Sequence, residues 1–124
     1  MEEAKHSPIY RVVAAHKSDV LDPLLVKTGE KLKVEAKQTV WSGWLWCTNQ
    51  SDQSGWMPEN YLVRQGNTGI ARQDYDATEL SVDIGEELIM GYEESGWIWC
   101  ANQQGQHGWV PADHLEILGE GSKQ

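Results

Sequence analysis

From residue 66 onward this chain has almost no positive charge: Arg72 and Lys123 stand against eleven acids. Residues 1–65 balance eight Lys/Arg with eight Asp/Glu, so the net charge of −9 belongs to the second half. Such acidity argues against nucleic acid or an anionic membrane surface as partner, and favours a basic one. Long apolar runs are missing as well; none approaches the ~20 residues a membrane-crossing helix needs. The opening Met-Glu-Glu-Ala-Lys-His is acidic and polar, unlike a secretory signal, so a cytoplasmic setting is expected. Cysteine is scarce, with only Cys47 and Cys100, no Cys-x-x-Cys spacing, and four His residues without metal-ligand spacing. Both cysteines are expected to be reduced core residues, and neither cofactor nor metal is expected. There is no Ser/His/Asp or Cys/His constellation and no phosphate-cradling loop, so catalysis is not expected.

What is present is a repeat. Gly43-Trp44-Leu45-Trp46-Cys47 returns as Gly96-Trp97-Ile98-Trp99-Cys100, at an offset of 53 residues. Seven residues after each block comes Gly-Trp-apolar-Pro: Gly55-Trp56-Met57-Pro58, then Gly108-Trp109-Val110-Pro111. Six of the seven Trp residues occupy matching positions in the two copies. A repeat at fixed offset governs the reading of the whole fold.

No window of a dozen residues carries apolar spacing of three and four, so helices are not expected. The pattern is one of short period-two strands separated by Gly, Asn, Ser and Asp. Strands are expected over 31–34, 44–48 and 55–57, and again over 87–90, 97–101 and 108–110. Asn49-Gln50-Ser51-Asp52 and Asn102-Gln103-Gln104-Gly105 read as hairpin turns. The expected fold class is all-β: two tandem five-stranded small barrels, at 9–63 and 69–118. Residues 64–69 read as a linker reaching at most ~20 Å, and 1–8 and 119–124 as flexible tails.

Both halves resemble the Src-homology-3 (SH3) domain. The second shows Ala71-Arg72-Gln73-Asp74-Tyr75, then Glu79-Leu80-Ser81-Val82-Asp83-Ile84-Gly85-Glu86, the Trp97 strand, and Gly108-Trp109-Val110-Pro111-Ala112-Asp113-His114-Leu115. The first shows Val12-Val13-Ala14-Ala15-His16, Leu24-Leu25-Val26-Lys27-Thr28-Gly29-Glu30, Trp44, and Gly55-Trp56-Met57-Pro58-Glu59-Asn60-Tyr61-Leu62. The resemblance implies recognition of extended, proline-rich peptides, because a polyproline II helix docks with little loss of entropy. Aromatic ridges would form proline slots, and acids in the long loop after the opening segment (the RT loop) would take a ligand cation.

Carried over residue by residue, each groove departs from the family pattern. The first has Ala14 and His16 in place of opening aromatics, with Trp44, Pro58, Asn60 and Tyr61 retained and Asp19 and Asp22 as its acids. The second has Gln73 and His114 in place of tyrosines, with Tyr75, Trp97 and Pro111 retained and Asp76 and Glu79 as acids. Its RT loop is shortened: four residues separate Tyr75 from Leu80, against seven between His16 and Leu24. Trp44 and Trp97 are expected to be exposed ligand-contacting ridges. Trp46 and Trp99 point away from the core, either packing across the hairpin on Trp56 and Trp109 or forming an interface patch. Trp41 reads as a groove cap or a cover on the barrel.

The expected function is a non-catalytic adaptor binding proline-containing basic peptides, with both half-grooves able to share one ligand. The competing reading is an assembly module with degraded grooves and Trp interfaces; a third is an SH3-like cell-wall binder. A monomer is expected, with weak dimerisation as the variant, and no membrane insertion.

Overall fold

The computed structural model describes residues 8–18, 22–35, 37 and 42–120. The protein is all-β in character. Strand boundaries follow the apolar alternation and the turn residues. Trp44–Thr48 (β4) and Trp97–Ala101 (β10) match expectation residue for residue. Lys31–Glu35 (β3), Ser54–Pro58 (β5), Glu87–Glu94 (β9) and His107–Pro111 (β11) extend the expected cores. The remaining strands are Pro8–Val12 (β1), Leu25–Val26 (β2), Leu62–Gln65 (β6), Thr68–Ala71 (β7), Tyr75–Asp76 (β8) and Leu115–Glu120 (β12). Pro8, Gly119 and Glu120, expected in the tails, therefore belong to strands, while 1–7 and 121–124 lie outside the described residues.

The chain divides into two compact units, and they are not the two sequence repeats. One, discontinuous, comprises Met1–Asp19 with Glu79–Gln124; the other, continuous, is Val20–Thr78. The discontinuous unit carries a sheet of order β11-β10-β9-β1-β12, and the continuous unit one of order β5-β4-β3-β7-β6. All these ladders are antiparallel. In each sheet, the fourth strand comes from the other repeat: β1 lies between β9 and β12, and β7 between β3 and β6. The stretch expected as a linker, 64–69, is the turn of the β6–β7 hairpin, with Arg64 opposite Gly69 and Gln65 opposite Thr68. Gly66 supplies the positive φ of 62° that this turn requires.

Backbone hydrogen bonds show the exchange atom by atom. Val12 N–H donates to Glu86 O and Gly85 N–H to Val12 O, each at 2.9 Å. In the continuous unit Ala71 N–H donates to Glu30 O (2.9 Å) and Gly29 N–H to Ala71 O (2.8 Å). Val13 N–H donates to His114 O, as Arg72 N–H does to Tyr61 O. Each opening segment makes the same set of bonds, but to the other repeat. Val12 is fully buried among Leu80, Val82, Leu88, Ile98, Cys100, Val110 and Leu115. Burying one such side chain stabilises by ~1.5–3 kcal/mol, so the first repeat's strand is part of this core.

The expectation of closed barrels is not met: among the described residues each five-stranded sheet is open, with no ladder from its first strand to its last. In the discontinuous unit the outer edge of β11 is already engaged. Glu79 bridges Trp109 in parallel, and Leu80 N–H donates to Trp109 O at 3.1 Å. Gly108 permits this approach, because a Cβ there would stand 2.7 Å from Leu80 N.

The hairpin turns are built twice on one plan. Asn49 Oδ1 accepts from the N–H groups of Ser51 and Gln53, both at 2.9 Å. Asn102 Oδ1 accepts from Gln104 and Gln106, both at 3.0 Å. Each Asn also donates to the Gln four residues on, at 2.8 Å. These contacts satisfy the amides of two buried Asn side chains, whose desolvation would otherwise be costly.

Candidate functional site: a histidine–tryptophan cluster

In the discontinuous unit the exchanged segment carries His16 to the second repeat's aromatics. His16 N–H donates to Val82 O (3.0 Å) and Val82 N–H to His16 O (2.8 Å), which fixes the backbone. The imidazole then meets Trp97 edge to face at 5.5 Å between ring centroids, and His114 at 5.8 Å. Its Nε2 lies 2.9 Å from Glu79 Oε1. His114 follows Pro111 through a short 3₁₀ turn, Ala112–His114, and its Nδ1 lies 3.2 Å from Ala14 O. Pro111 stands opposite Trp97 across β10 and β11. His16, Glu79, Trp97 and His114 all retain partial exposure, so this cluster faces solvent.

Tyr75 makes the reciprocal move. It packs on Tyr61 at 5.7 Å in a T-shaped contact, and its hydroxyl donates to Trp56 O at 2.7 Å. Trp44 pairs with Pro58 on the same sheet. Trp44, Tyr61 and Tyr75 are only 8 %, 8 % and 7 % exposed, and Pro58 is fully buried. Trp44 is therefore not the exposed ridge expected of it. The burial along β4 does not alternate, because Trp44 and Cys47 are buried while Leu45 and Trp46 are half-buried. The continuous unit thus collects the more tyrosine-rich set and buries it.

The expected partition of site residues is corrected accordingly. His16 joins Trp97, Pro111, His114 and Glu79, whereas Tyr75 joins Tyr61, Pro58 and Trp44. Of the expected acids among the described residues, only Glu79 is brought to an accessible aromatic cluster. Asp76 Oδ1 accepts from Thr78 N–H (2.9 Å) and Thr78 Oγ1 (2.6 Å), closing a local turn. Asp22 Oδ1 accepts from Gln53 Nε2 at 2.7 Å. Asn60 is exposed, and its carbonyl accepts from Arg72 Nη1 at 3.4 Å. Asp19 and Trp41 lie outside the described residues.

Two residues at the sites were not anticipated. Ala14, read only as a lost aromatic, supplies a carbonyl to His114. Asp74 accepts from both Thr28 N–H (2.8 Å) and Thr28 Oγ1 (2.9 Å), and these bonds hold its carboxyl below the usual carboxylate range. That clamp ties the second repeat's opening segment to the first repeat's loop.

The outward Trp residues pack within their own sheets. Trp46 meets Trp56 at 5.1 Å, and Trp99 meets Trp109 at 5.4 Å, both pairs directly opposite in register. Both cysteines are buried, and desolvation pushes Cys47 up to about 11 and Cys100 up to about 12. Raised this far, both thiols are protonated at neutral pH.

No curated protein matches the chain. Residues 69–118 match the family described as the variant SH3 domain, whose members are generally non-catalytic binding modules. In space that stretch divides, with 69–78 in the continuous unit and 79–118 in the discontinuous one. One variant SH3 domain is therefore supported at residues 69–118, and with it a protein-interaction module.

Proposed function

We propose that this chain is a non-catalytic adaptor that binds an extended, proline-containing basic peptide along His16, Trp97 and His114, with the buried Pro111 backing the site. The observation that carries the reading is the convergence of the partly exposed His16, Trp97 and His114 rings, with His16 in edge-to-face contact with both others. Ridges of this kind offer flat apolar walls between which a polyproline II turn fits. Glu79 stands at the edge of the cluster, residues 73–122 hold no Lys or Arg, and the two nearby cations of the exchanged segment are matched by acids, Arg11 by Glu116 and Lys17 by Asp83. These features favour a basic ligand.

The tyrosine cluster of the continuous unit serves chiefly as core in this reading, since its members are buried. The competing assembly reading placed an interface on degraded grooves and exposed Trp patches; packing of Trp46 on Trp56 and of Trp99 on Trp109 within the sheets leaves it less support.

The test is a two-dimensional NMR titration of the full chain with proline-rich basic peptides. The Trp97 indole and the His16 and His114 ring signals are expected to move together. Movement confined to Trp44, Tyr61 and Tyr75 would overturn the assignment.

A further inference from the structure

The two Trp pairs on the hairpins differ in one respect, and the difference has chemical content. In the continuous unit, Lys37 Nζ stands 3.5 Å from the centroid of a Trp46 ring and 6.0 Å from that of Trp56. The pair is already holding an ammonium group. Glu35 lies opposite Trp46 in register, so the row across β3, β4 and β5 is Glu35–Trp46–Trp56.

In the discontinuous unit the same row is Tyr92–Trp99–Trp109. Tyr92 meets Trp109 at 5.5 Å and nearly perpendicular, while His107 lies nearly parallel to Trp99 at 6.2 Å. Trp109 is only 2 % exposed, but Trp99 is half-buried and Tyr92 is 45 % exposed. The row ends in an aromatic cup rather than a glutamate. Among the described residues no Lys or Arg stands over Trp99, and none occurs in the sequence between Arg72 and Lys123. The adjoining strand carries Glu93 and Glu94, so the surroundings are acidic.

Gly91 shapes the cup. It sits at the irregularity where β9 pairs with β10, and a Cβ there would meet Trp99 O at 3.0 Å and Trp99 Cδ1 at 3.3 Å. A side chain there would have to push the Trp99 backbone and indole away by a few tenths of an ångström.

We propose that Trp99, flanked by Tyr92 and His107, is a receptor for the ammonium of a lysine side chain on a partner protein. An indole face attracts a cation through its quadrupole, and the acids raise the local concentration of positive charge. The chain itself supplies the precedent in Lys37 over Trp46. This site lies beyond the His16–Trp97–His114 cluster and stands or falls separately from it.

The experiment uses the full chain, a short proline-free lysine peptide, and the same peptide with norleucine in place of lysine. Indole Nε1–H signals are followed by NMR in wild type, Trp99→Leu, Tyr92→Leu and Lys37→Ala. The Trp99 signal should move with the lysine peptide and stay still with the norleucine peptide. Trp99→Leu and Tyr92→Leu should each weaken lysine-peptide affinity by roughly two- to fivefold, the value of an exposed cation–π contact. Lys37→Ala should uncover the Trp46 face and make its indole newly responsive to the same peptide. This gain keeps the idea testable even if Trp99→Leu fails to fold. An equal response to the norleucine peptide would show apolar adhesion and overturn the proposal. So would a Trp99 signal that stays still while only backbone signals near the glutamates move. Failure of the proline-rich titration, with Trp99 still responsive to lysine, would sink the groove reading and leave this one intact.

Discussion

The phenolic hydroxyl of Tyr75 donates to the carbonyl oxygen of Trp56 at 2.7 Å, joining the second repeat's opening segment to the first repeat's last hairpin. Tyr75 is nearly buried, so removing the hydroxyl leaves a carbonyl short of its partner. Tyr75→Phe should cost about 1–3 kcal/mol, the usual range when one member of a buried pair is lost. Urea denaturation of the two proteins checks this, and an unchanged midpoint would contradict the bond's importance.

The exchange of β1 and β7 predicts the behaviour of fragments. A chain cut at the Gly66–Asn67 turn gives 1–66 and 67–124, each lacking the strand that completes its own sheet. Neither half alone should unfold cooperatively, and mixing them should restore the native spectrum. Circular dichroism and amide NMR of separate and mixed fragments decide the matter. Two independently folded halves would refute the strand assignment.

Trp44 and Trp97 stand at equivalent repeat positions but should answer mutation differently. Trp44→Ala removes a buried ring and should cost about 3–5 kcal/mol of stability. Trp97→Ala should cost well under that and lower proline-peptide affinity by at least about tenfold, as loss of an aromatic anchor does. Denaturation and peptide titration of both variants, measured side by side, separate the two roles.

The thiols give an alkaline prediction. Burial raises Cys47 to about 11 and Cys100 to about 12, against an ordinary value of 9.0. The unfolded chain therefore releases these protons first. Their contribution is fully present below pH 9 and is lost as pH rises through 9 toward 11 and 12. At pH 10.5 the loss should reach about 2 kcal/mol per thiol. Comparing denaturation midpoints at pH 8 and 10.5 for wild type and the Cys47→Ala, Cys100→Ala double variant tests it; the alkaline drop should shrink in the variant.

Strands, turns and Trp pairing were legible because their signals are local. β4 and β10 carry their boundaries in the apolar pattern and in Gly43 and Gly96, and the Asn49 and Asn102 turns close within four residues. Pairing of Trp46 with Trp56 follows from register alone. Strand exchange was not legible, because both repeats offer the same acceptors. Val12 N–H bonds to Glu86 O, while Glu30 O accepts the same bond from Ala71. No local pattern distinguishes one acceptor from its duplicate. The site residues inherited that ambiguity, and His16 and Tyr75 were each assigned to the companions of their own repeat rather than those of the other. The local partner of Asp76 was a signal available in the sequence: Thr78 stands two residues on and donates to it.

The interleaving of β1 and β7 bears on how such a chain can change over generations. Tandem copies joined end to end can be lost, gained or shuffled one at a time. Here the deletion of either copy would remove a central strand from the sheet left behind, and a substitution at His16 would be felt at Trp97. A rearrangement that separated the copies would break both exchanged pairings at once, and each copy would have to take back its own opening strand.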